Sequence, residues 1–72
     1  MPYIEVNVFK DELSQAQKEA VIEKITKAIT ETTSDKLKDV TWVVTKEVES
    51  GSWGVGGNAL GLADIKKLVS SG

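Results

Sequence analysis

The sequence predicts a small α/β protomer of the α+β kind, a single β-α-β unit with two parallel strands, followed by a C-terminal glycine-rich hairpin or loop and a short tail. Three observations carry that expectation. Tyr3 to Phe9 alternates apolar and polar residues as a half-buried strand does. The segment after Ser14 repeats apolar residues at spacings of three and four, the pattern of an amphipathic helix. Val40 to Val48 is rich in β-branched residues. Two such strands flanking a helix of about five turns close into a right-handed crossover with the strands parallel.

In the first strand Ile4, Val6 and Val8 share one face and Tyr3, Glu5, Asn7 and Phe9 the other. Lys10-Asp11-Glu12-Leu13 breaks the alternation. Ser14 then stands three residues before Gln17, the spacing of a capping box, which sets the helix start. Val21, Ile22, Ile25, Ala28, Ile29 and Thr32 form its apolar stripe, with lysines and glutamates on the remaining face. Ser34 to Asp39 reads as a turn or short capped helical turn, and Val40 to Val48 as the second strand. Four of the six glycines gather around Trp53 between Gly51 and Gly57, a composition for tight turns. In the tail, Leu62, Ile65, Leu68 and Val69 fit one face of a short helix.

At 72 residues the chain is one domain, 1–72, with little interior to stabilise it. It has no cysteine, so disulfides cannot supplement the core, and one face of so small a sheet has nothing left in the chain to cover it. Self-association into a homo-oligomer is the expected remedy. A net charge of -2 without a basic stripe argues against a nucleic-acid partner, and no apolar run is long enough for a membrane partner. Without a basic segment leading into an apolar one at the start, the expected location is cytoplasmic.

Histidine, cysteine and arginine are all missing, which removes imidazole bases, thiolate nucleophiles and the usual zinc ligands. No metal or cofactor is expected. Gly54 to Ala59 fits the letter of a dinucleotide fingerprint, but the further parallel strand and the acidic residue about 20 positions on that it needs would lie past the last residue of this sequence. The carboxylate pairs Asp11/Glu12 and Glu47/Glu49 have no feature that would set one carboxyl apart from its neighbour. Trp53 fits either a packing role or a ligand platform. What remains is Pro2. Removal of Met1 would leave it as a free secondary amine at the head of a strand, and an α-amine, with a reference pKa of about 7.7 to 8.0, is neutral near pH 7 when a pocket disfavours its charged form.

Pro2, the alternating strand, the capped helix, the β-branched strand and the run Trp53-Gly54-Val55-Gly56-Gly57, taken together, resemble the 4-oxalocrotonate tautomerase family. The resemblance runs from Pro2 to about Leu60, leaving 61–72 as a C-terminal extension. It implies a tautomerase-like protomer assembled into a homohexamer, an isomerase whose amino-terminal proline, Pro2, is the general base for 1,3-proton transfer on a small enol or 2-oxo acid. It also implies that Trp53 stands at the pocket aromatic and Phe9 at an apolar pocket position. The family's substrate-binding arginines fall at about Glu12 or Leu13 and at Thr41, and Lys10 or Lys38 offers only a point charge in their stead. The alternative is a catalytically silent oligomeric relative acting as a binding or assembly module.

Overall fold

The computed structural model describes residues 1–71. Strand β1 (Tyr3–Phe9) leads through a tight turn into helix α1 (Gln15–Thr32), a 3-10 turn (Asp35–Val40) and strand β2 (Trp42–Val48). A hairpin of β3 (Trp53–Val55) and β4 (Asn58–Leu60) and a final helix α2 (Leu62–Ser71) follow. β1 and β2 are parallel, with Tyr3 opposite Trp42 and Phe9 opposite Val48. The expected β-α-β unit and C-terminal hairpin are both present.

Local chemistry sets each boundary. The Ser14 hydroxyl accepts from the Gln17 backbone N–H at 3.1 Å while the Gln17 side chain accepts from the Ser14 N–H at 2.8 Å, the reciprocal capping box that starts α1. β2 begins two residues later than the sequence suggests. Ser34 caps the 3-10 turn by accepting from the Lys36 N–H at 3.2 Å, and that turn keeps Val40. The hairpin turns on Gly56 and Gly57, whose φ values of 59° and 83° suit a two-residue connection with both residues left-handed. α2 is fastened at its start by two acceptors. The Ser50 hydroxyl takes the Leu62 N–H at 3.0 Å, and the Asp64 carboxylate takes the Gly61 N–H at 2.9 Å.

The parallel register sorts the side chains. Ile4, Val6 and Val8 share a face with Val43, Thr45 and Glu47, and α1 packs on it, with Lys18 of α1 meeting Glu47 at 2.9 Å. Tyr3, Glu5 and Asn7 share the other face with Trp42, Val44 and Lys46, and away from its Phe9 end, where Trp53 lies against it, that face is open: Tyr3 is 57% and Trp42 56% exposed. Phe9, at the end of that face, is the one buried core residue among those described.

The protomer is therefore open. Its radius of gyration is 14.8 Å, against about 11 Å for a compact chain of this length. It exposes 5457 Å² where a compact protein of its mass exposes about 4,400 Å². The excess, on the order of 1,000 Å², exceeds the roughly 800 Å² that one partner contributes to a standard protein interface.

Candidate functional site

Pro2 stands immediately before β1, and its carbonyl accepts the Trp42 N–H at 2.9 Å. That bond extends the parallel ladder by one step and fixes the proline at the end of the sheet. With Met1 attached the Pro2 nitrogen is an amide; removal of Met1 would make it an amine. Tyr3 and Trp42, neighbours in the register on the open face, flank this end. The Tyr3 hydroxyl donates to Glu5 at 2.8 Å, and Lys46 donates to the same carboxylate oxygen at 2.9 Å. Those two bonds, the lysine's first, hold the Glu5 carboxyl below its ordinary range, while the bond to Glu5 raises the Tyr3 phenol.

Phe9 and Trp53 come together at the other end, their ring centroids 4.9 Å apart and tilted by 34°. The hairpin lays the indole over the phenyl ring, so Phe9 lies beneath Trp53 as a floor. The Trp53 Nε1–H is buried without a hydrogen-bond partner. Asp11, with φ at 67°, turns the chain directly after this end. Glu12, one of the places where the resemblance puts an arginine, uses its carboxylate to accept the Phe9 N–H at 2.9 Å. That carboxylate serves the turn.

Two lysines at this end are paired with carboxylates. Lys10 meets Glu49 at 3.3 Å, and Lys18 meets Glu47 at 2.9 Å. The Lys18 bond is the main reason the Glu47 carboxyl titrates below its ordinary range, so the pair favours the fold above the unfolded carboxylate pKa and loses that contribution as pH falls. Glu47 and Glu49 thus serve different lysines. The Lys10–Glu49 pair escapes a reading of the sequence by motif, although the register predicts it: Lys10 lies one residue past Phe9 and Glu49 one past Val48.

One strand separates the two ends. Seven residues at about 3.3 Å each put Pro2 roughly 23 Å from Phe9 within a protomer. Of the residues singled out from the sequence, the protomer joins Phe9, Trp53 and Lys10 at one end and leaves Pro2 at the other. Among the described residues no group of carboxylates could hold a metal ion, and no helix is long and apolar enough to cross a membrane.

The parallel pair with its crossover helix, the terminal hairpin and a proline at the head of the first strand define a class, the small β-α-β domain. The chain belongs to the tautomerase family. The family described as "Tautomerase enzyme" matches residues 2–63, a match that starts at Pro2. A relative named "Probable tautomerase K2", from Dickeya dadantii (strain 3937), is 32% identical over 60 residues, which cover 83% of this chain and 88% of the relative.

Proposed function

We propose that this chain is a keto-enol tautomerase in which Pro2, freed by removal of Met1, is the general base. The observation that carries the reading is the placement of Pro2: its ring and its carbonyl bond to Trp42 fix the nitrogen at the sheet end, so little freedom is left to lose when a substrate is bound. The neutral amine takes the enol hydroxyl proton, leaving an enolate. The resulting ammonium returns a proton to the substrate carbon, which restores the amine and leaves the ketone. Enolate charge requires a donor, and backbone N–H groups supply that chemistry.

The 23 Å between Pro2 and the Phe9–Trp53 pair requires that a site using both be shared between protomers. The excess surface and the uncovered sheet face support self-association, with a hexamer as the assembly that the family resemblance implies. Unfolding midpoints should accordingly rise with protein concentration, each tenfold increase adding about 1.4 kcal/mol per association step. Urea titrations at several concentrations with light scattering test this, and a concentration-independent midpoint with a monomeric mass would refute it.

Without arginine, the pocket should prefer an aromatic monocarboxylate enol to a dicarboxylate. Each missing charge-assisted bond is worth roughly 1.5 to 3 kcal/mol, so two together weaken dianion binding in the transition state by about two to four orders of magnitude. Steady-state kinetics on phenylenolpyruvate and 2-hydroxymuconate is the test. A higher kcat/KM for the dicarboxylate would defeat this assignment of the pocket. No turnover of any enol by protein verified to begin at Pro2 would favour the silent assembly module.

A further inference from the structure

The Phe9–Trp53 end holds two ion pairs of different character. Lys18–Glu47 is the more enclosed, with side chains 23% and 32% exposed at 2.9 Å, and it joins α1 to β2. Lys10–Glu49 is loose, with side chains 53% and 70% exposed at 3.3 Å, and it joins the residues directly following the two strands. Glu12 is occupied with the Phe9 N–H. Of these paired lysines, Lys10 is the one that can be released at little cost, because exposed pairs contribute at most about 1 kcal/mol.

We propose that Glu49 is a specificity-determining positioning residue: it holds the Lys10 ammonium and thereby directs the site toward enols that carry no second, distal carboxylate. This rests on the tautomerase reading above. A distal carboxylate must displace the Glu49 carboxylate to reach Lys10, and it meets like charge while Glu49 stays; an aryl or alkyl tail meets neither obstacle. Glu49 touches no substrate in this scheme and acts through Lys10.

The test is a double-mutant cycle in protein that begins at Pro2, with the ratio of kcat/KM for 2-hydroxymuconate to that for phenylenolpyruvate as the readout. Glu49→Gln frees Lys10 and should raise the ratio by about two- to fivefold. Lys10→Gln in the Glu49→Gln background should return it to the starting value, and Glu49→Asp, which keeps the charge, should leave it low. A purely structural role for Glu49 would lower both kcat/KM values together and leave the ratio unmoved. If Glu49→Gln leaves the ratio unchanged, or its gain survives the loss of Lys10, the role of Glu49 is overturned while the tautomerase reading stands. If no form turns over either enol, the tautomerase reading fails and this inference falls with it.

Discussion

Protein that retains Met1 should turn over phenylenolpyruvate at least a hundredfold more slowly than the same chain beginning at Pro2. With Met1 attached, the Pro2 nitrogen is a tertiary amide, its lone pair delocalised into the carbonyl and unable to take a proton. A positioned general base contributes about 10² to 10⁴ in rate. Without histidine, cysteine or arginine, no other group of the chain combines basicity near neutral pH with a fixed place at a sheet end. Pro2→Ala is the milder change, because processing then leaves a primary amine that keeps part of the rate. Intact mass fixes which form is present, and equal turnover by the two forms would remove Pro2 from the mechanism. The pH profile supplies a second reading. An amine base is active when neutral, so kcat/KM should rise with pH through the amine's pKa in processed protein and lack that limb in the Met1 form.

The strands, the helix and the hairpin were legible because each is written locally. Alternation from Tyr3 to Phe9, the Ser14 and Gln17 pair, and paired glycines at 56 and 57 are short-range signals that need no tertiary context. The start of β2 was less so, since Val40 is as good a strand residue as Val43. The Ser34 cap decides that Val40 closes the 3-10 turn. α2 showed only as a face of apolar residues, and its anchorage by the Ser50 hydroxyl reaches back twelve residues, beyond any local pattern. The site was legible by residue type and not by place. Pro2, Phe9, Trp53 and Lys10 stand out one at a time, yet the 23 Å between Pro2 and the others follows from strand length. The carboxylates that occupy Lys10, Lys18 and the Phe9 N–H came into view only with register and turn geometry. Glu12 is the clearest case. A carboxylate at an arginine's place reads in sequence as a lost contact, whereas here it caps the turn that follows β1.

Phe9→Ala should bring the protein close to losing its fold. Phe9 is 4% exposed and is the one buried hydrophobic residue described in the chain. Truncating a buried phenylalanine costs about 3 to 5 kcal/mol, against a total stability of about 4 to 11 kcal/mol for a domain of this length. The loss spreads through direct neighbours. The Phe9 N–H and carbonyl are tied to Glu12, at 2.9 and 3.0 Å, so the turn carrying the left-handed Asp11 is anchored on this residue. The Trp53 indole would lose the ring it lies against. Urea unfolding followed by circular dichroism should show a midpoint lowered by several kcal/mol at fixed protein concentration, and tryptophan emission should shift to the red before the main transition as the hairpin loosens. Phe9→Leu, which stays apolar and smaller by less, should cost far less and keep the cooperative transition. A Phe9→Ala loss below about 1 kcal/mol would mean that burial between protomers, not this ring, carries the stability of the fold.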